Sequence, residues 1–145
     1  PIAVIKAEEV KGDFHARFSA KKRYYRYDIM NRRPPLTLDK GRYWRVGQSL
    51  DVKLMIQASK YLEGNHDFTT FRSTHCQSRS PVKTIDSIDI EQSGLEISIL
   101  ISAKSFLHNQ VRSITGSLKL VGEGKWESQK IKEFLRKKIE HSAGL

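Results

Sequence analysis

Ser87-Ile88-Asp89-Ile90-Glu91-Gln92-Ser93-Gly94-Leu95-Glu96-Ile97-Ser98-Ile99-Leu100-Ile101 is the stretch on which the fold turns. Ile88 and Ile90 alternate with Ser87, Asp89 and Glu91. Ser93-Gly94 offers a turn, and the return run sets Leu95, Ile97, Ile99 and Ile101 on one face. Strand side chains point alternately to opposite faces, so this spacing predicts two half-buried strands joined as a hairpin. Their apolar face needs cover.

The cover is legible on both sides of the hairpin. Leu50 to Leu62 reads as a helix with Val52, Met55, Ile56, Ala58 and Leu62 along its apolar stripe and Gly64 as its stop. A second helix starts near Phe106, where Leu107, Val111, Ile114, Leu118 and Val121 recur at spacings of 4, 3, 4 and 3, and Gly122 ends it. Ser128 can cap a third, with Ile131, Phe134, Leu135 and Ile139 on its apolar side. Ala3 to Val10 reads as a short strand. Tyr24 to Met30 is a firmer one, with Tyr25, Tyr27 and Ile29 on one face, and Arg42 to Val46 is a weaker one. Pro34 and Pro35 make 31–39 a loop, and Asn65 to Pro81 is polar and irregular, with Phe68 and Phe71 as core anchors. The expectation is a single α+β domain over residues 1–145, an antiparallel sheet with helices packed on one face, as in RRM or ferredoxin-like halves.

Composition narrows the function. With 38% hydrophobic and 29% charged residues, the chain resembles neither a disordered tail nor a membrane protein. No apolar run approaches the roughly 20 residues of a spanning helix. A single cysteine, Cys76, excludes an internal disulfide and a Cys-rich zinc site and suits a reducing cytoplasm. The 26 Lys+Arg against 16 Asp+Glu leave a net charge of +10. Eight of those ten charges lie within residues 11–45, where eleven basic side chains face only Asp13, Asp28 and Asp39. Phe14, Phe18, Tyr24, Tyr25 and Tyr27 interleave with the bases. Cations that neutralise phosphates beside rings that stack on bases suit loop or single-stranded RNA better than a merely solvated face.

Three segments carry a resemblance. Phe14-His15-Ala16-Arg17-Phe18-Ser19-Ala20 with Arg23, Tyr25 and Tyr27 is similar to the F-H-A-R-F-S-A-x-x-R-x-Y-x-Y run of the tRNA pseudouridine synthase A family. Asp67-Phe68-Thr69-Thr70-Phe71-Arg72 and Cys76-Gln77-Ser78-Arg79-Ser80-Pro81 resemble its D-F-T-S-F-R and C-Q-S-R-T-P loop. Phe106-Leu107-His108-Asn109-Gln110-Val111-Arg112 with Gly116 resembles its F-x-H-x-M-V-R-x-x-x-G helix, Gln110 standing where Met is usual. The three fall in the family's order.

The resemblance implies isomerisation of uridine to pseudouridine in the tRNA anticodon stem-loop, with no metal and no organic cofactor. An aspartate carboxylate acts as nucleophile or base in that chemistry. The family's aspartate lies in a G-R-T-D-A-G-V-H motif ahead of F-H-A-R-F, and no Gly-Arg-Thr-Asp occurs here. The chain therefore reads as the C-terminal half of such an enzyme, which expects its N-terminal half and tRNA as partners and a homodimer as its assembly. Tyr25 matches the tyrosine that packs against the target uridine, with Tyr27 a core support. Arg112 matches the ion-pair partner of the aspartate. Arg17, Arg23, Arg72 and Arg79 are candidate phosphate or base contacts. His15 either contacts RNA or orients its own loop, and His108 either contacts RNA or makes a structural hydrogen bond. Cys76 is expected to be a packing residue. The rival reading is a non-catalytic basic RNA-binding module, which explains the charge and the absent aspartate but shows no K/R-G-F/Y-G-F-V-x-F/Y run. A basic structural protein of a ribonucleoprotein is a third, weakened because the bases lie within a strand-forming region.

Overall fold

The computed structural model describes residues 2–136. Along the chain run β1 (Arg23–Asn31), β2 (Trp44–Val46), α1 (Val52–Lys60), β3 (Gly64–Asp67), a one-turn 3-10 helix (Thr69–Phe71), β4 (Val82–Ser93), β5 (Glu96–Ala103), α2 (Gln110–Gly122) and α3 (Ser128–Arg136). The strands form one sheet in the order β2-β1-β5-β4-β3. The hairpin lies inside it, pairing Ile88 with Ile101 and Ile90 with Ile99. Its turn sits one residue later than expected. Ser93 pairs with Glu96, so Gly94 (φ 60°) and Leu95 make the bend, and Leu95 leaves the core face for solvent. A bulge at Asp86 lets Ile85 and Ile88, three apart, both face the core, which strict alternation would forbid.

The sheet is mixed, which corrects the all-antiparallel expectation. β1 runs antiparallel to β5, but β2 pairs parallel with β1, Ile29 opposite Trp44. The connection over 32–43 is about a dozen residues, long enough for a crossover where a tight hairpin would have forced the antiparallel arrangement. β3 forms inside the stretch read as irregular. Its Gly-Asn-His-Asp sequence has no hydropathy signature, and it joins β4 as an edge strand by backbone pairing, with Asn65 Nδ2 donating to Thr84 Oγ1 at 2.8 Å. Residues 3–10 form no strand. Ile2 and Ile5 are 99% and 97% exposed, and among the described residues nothing pairs with this backbone. Propensity without a partner does not make a sheet.

All three helices cover one face. Ile29, Ile85, Ile88, Ile97, Ile99 and Ile101 are buried beneath them with Phe68 and Phe71. Each large side chain so buried contributes about 2–3 kcal/mol of transfer free energy. Asp51 caps α1, its carboxylate accepting the Leu54 N–H at 3.1 Å. α2 crosses α1 closely: a methyl on Gly122 would meet Met55 Sδ at 2.8 Å, so a larger residue there would force the Met55 side chain to move. The end of α2 is set by Gly124 (φ 72°), with the Lys125 N–H donating to the Leu120 carbonyl at 3.0 Å. α3 begins at Ser128 and buries Ile131, while Ile139 lies outside the described residues. The opposite face mixes exposed Tyr24 and Leu100 with polar groups, and Asp28 there accepts from Arg26 Nε at 2.8 Å and from Ser98 Oγ at 2.7 Å. Among the described residues no helix is long and apolar enough to cross a membrane.

Candidate functional site

Strand alternation puts Arg23, Tyr25 and Tyr27 of β1 on the helix-bearing side of the sheet, beyond the reach of the core isoleucines. The chain leaving β5 turns over them through Lys104–Asn109 into α2, and the loop at 75–78 closes a third side. Between these walls lies a cavity of about 1180 Å³.

Tyr25 is half exposed, its ring meeting Phe106 edge-on at 5.2 Å, so one aromatic face is held while the rest stays open. Tyr27 packs on the core and against Trp44 at 6.0 Å while also reaching the cavity. Arg23 donates from Nη1 to the Lys104 carbonyl (2.5 Å) and from Nη2 to the Arg17 carbonyl (2.8 Å). Its fork thus ties the 14–20 loop to the end of β5. His15 organises that loop from within. Its Nδ1 accepts the backbone N–H groups of Arg17 and Phe18, both at 3.2 Å, and its ring lies 4.5 Å from Phe18. It does not line the cavity, whereas Arg17 does, with its guanidinium 5.4 Å from the Phe18 ring.

The second motif docks onto the third through backbone. The Ser73 N–H donates to the His108 carbonyl at 3.1 Å, and the His108 N–H donates to Cys76 Sγ at 3.4 Å. Cys76 lines the cavity. The backbone donors His108 and Ser78 lower its thiol pKa, with Arg72 and Lys83 adding positive charge, against the opposing effect of burial. Arg72 stands half-buried behind that thiol and Arg79 is exposed on the loop, and neither is on the cavity wall. His108 was expected on a helix with Arg112 one turn on. The helix begins only at Gln110, because Asn109 takes left-handed backbone (φ 62°) that an α-helix interior does not admit. His108 sits in the turn before it, exposed, on the wall.

Gln110, where the family pattern has Met, is fully buried, and its Oε1 accepts the Leu107 N–H at 2.8 Å. A methionine could not accept that bond as well, so the departure from pattern has a local structural use. Arg112 is exposed in the first turn of α2, a turn with no acidic residue, and among the described residues it joins no ion pair. A cation near the positive end of a helix dipole is unfavourable by itself and suits an arriving anion. Lys83 and Lys104 add two cations that no motif announced, brought in by β4 and by the exit from β5. Among the described residues the wall therefore carries five Lys and Arg side chains, two histidines and no carboxylate. Among the described residues no three His, Cys, Asp or Glu side chains cluster to hold a metal. Chemically the site can hold an anion and a planar ring side by side, and among the described residues it contains no acid.

Residues 58–144 match the family model described as tRNA pseudouridine synthase. The chain is 53% identical over 144 residues to tRNA pseudouridine synthase A of Parvibaculum lavamentivorans, covering 99% of this chain and 58% of that protein. It is 54% identical to that of Xanthobacter autotrophicus (94% and 56% covered) and 56% identical to that of Zymomonas mobilis (87% and 51% covered). The chain thus spans somewhat more than half the length of these relatives. It belongs to the tRNA pseudouridine synthase family.

Proposed function

We propose that this chain forms the RNA-binding, cation-bearing part of an enzyme that converts uridine to pseudouridine in the tRNA anticodon stem-loop. The carrying observation is the convergence of the first and third motif segments, with Cys76 of the second, on one cavity that among the described residues has rings and cations but no carboxylate. The reaction breaks the N1–C1′ bond, rotates the uracil, forms a C5–C1′ bond, and moves the C5 proton away while N1 regains one. A carboxylate must assist, and this reading assigns it to a part of the enzyme outside these residues. Tyr25, backed by Phe106, would stack on the flipped uridine. Arg112 would pair with the arriving aspartate and keep it ionised in a partly dry site. Arg17, Lys83 and Lys104 would meet phosphates, with His108 beside them, while Arg23 and His15 hold the loop that presents Arg17. Arg72 and Arg79 are assigned to RNA outside the cavity. We further propose a homodimer working in the cytoplasm without a cofactor.

Mapping pseudouridine in tRNA from cells with the gene deleted tests this. The anticodon stem-loop sites should vanish and return on re-expression. An unchanged map would overturn the reading in favour of a non-catalytic RNA-binding module, whose case rests on the same carboxylate-free wall.

A further inference from the structure

The sequence presents residues 11–45 as one basic run, but the fold divides it. Lys11, Arg17, Lys21, Lys22, Arg23 and Arg26 lie toward the beginning of β1, and Arg32, Arg33, Lys40, Arg42 and Arg45 lie past its end. A nine-residue strand separates the two groups, about 26 Å from Arg23 to Asn31. Arg32, Arg33, Lys40 and Arg42 lie in the crossover between β1 and β2, and Arg45 in β2 at its end. Arg33, Lys40, Arg42 and Arg45 are exposed there, and among the described residues none of the five makes an ion pair with a carboxylate. Asp39 is the sole acid within residues 32–45.

The crossover is braced. Arg45 Nη1 donates to the Arg33 carbonyl at 2.6 Å, Arg32 Nη2 donates to the Pro35 carbonyl at 2.9 Å, and β1 and β2 pin its two ends in parallel register. Exposed cations on a braced loop lose little freedom when an anion arrives. Four of them without neutralising partners repel one another until one does.

We infer that the crossover over 32–43, with Arg45 of β2, is a second phosphate-backbone surface, which grips a stretch of the same RNA separate from the one entering the cavity. The inference rests on the RNA-binding reading above and extends it to a site where no motif residue lies. The two surfaces differ in chemistry. The cavity joins cations to Tyr25 and Phe106 and can read a base. The crossover offers cations to phosphates, which add affinity without sequence preference.

Salt titration of tRNA binding by the 145-residue chain decides it. The triple variant Arg33→Ser, Lys40→Ser, Arg42→Ser should make the log–log salt slope shallower by about 2 to 3, at about 0.7–0.9 for each phosphate left unneutralised. A control variant, Lys53→Ser, Lys130→Ser, Lys132→Ser, removes the same charge from exposed helix positions and should leave the slope nearly unchanged. Equal effects of the two variants, or none from the crossover variant, overturn the second surface while leaving RNA binding intact. A flat salt response by the unsubstituted chain would instead overturn the RNA-binding reading itself.

Discussion

The two ends of β1 carry similar charge and opposite architecture. At its beginning, Arg23 is locked into the fold, its fork spent on two carbonyls, and His15 and Phe18 shape the loop that carries the exposed Arg17. At its end, Arg33, Lys40 and Arg42 stand in solvent on a loop that Arg32 and Arg45 brace. The difference teaches that positive charge alone does not mark a catalytic site. What singles out the first end is an aromatic ring held edge-on beside the uncompensated first turn of a helix.

The largest expected effect is at Arg112. In the complete enzyme we propose, Arg112→Ala should lower kcat by about three orders of magnitude with KM for tRNA changed only a few-fold, because the interaction it removes acts in the transition state. Single-turnover kinetics would show this. Near-normal turnover would return Arg112 to the role of a solvated helix residue and blur the distinction between the two ends.

A smaller effect sharpens the contrast from the structural side. Arg23→Ala frees the Lys104 and Arg17 carbonyls, and amide exchange in residues 17–19 should rise about tenfold, equivalent to about 1.4 kcal/mol of lost local stability. Arg42→Ala at the crossover should leave those same amides unchanged. Exchange measured by mass spectrometry on both variants checks the pair.

The smallest effect lies in the scaffold between the two ends. Glu63 accepts from Lys60 Nζ at 2.8 Å and from the Ile88 N–H at 3.0 Å, just past the β4 bulge. Burial works against its charged form, but these two donors outweigh burial and lower its pKa. A carboxylate whose folded pKa is depressed stabilises the fold above its unfolded pKa, and that contribution is lost as pH falls through the folded one. Glu63→Gln should therefore cost about 1 kcal/mol near neutral pH, a cost that shrinks in acid, with tRNA affinity unaffected. Urea melts across pH would reveal a constant difference if the ion pair were irrelevant.

Much of this was legible in the sequence where burial imposes a period. The isoleucine alternation gave the hairpin, and the 4-3-4-3 stripe gave α2. The signal failed where backbone geometry decides. Gly94-Leu95 form the turn in place of Ser93-Gly94 because the register places Ser93 opposite Glu96. β3 pairs through its main chain and has no apolar face to show. Two glycines were informative for different reasons. Gly116 belongs to a family pattern, although a methyl there would meet nothing within 4 Å, whereas Gly122, read as a helix stop, sits at the close α1–α2 approach, where a methyl would press on Met55. At the site, motifs singled out Tyr25, Arg17 and Arg112 one by one, and the fold brings all three to one cavity. Lys83 and Lys104 went unseen because only tertiary pairing brings them to the cavity.

The most direct test of the account is tritium release from tRNA carrying C5-tritiated uridine. The 145-residue chain alone should bind this tRNA and release nothing. Release should begin when the remaining portion of the relatives' length is supplied in trans, and only while its aspartate is intact. Release by the chain alone would contradict the account, because it would place the catalytic acid among residues that here provide only rings and cations.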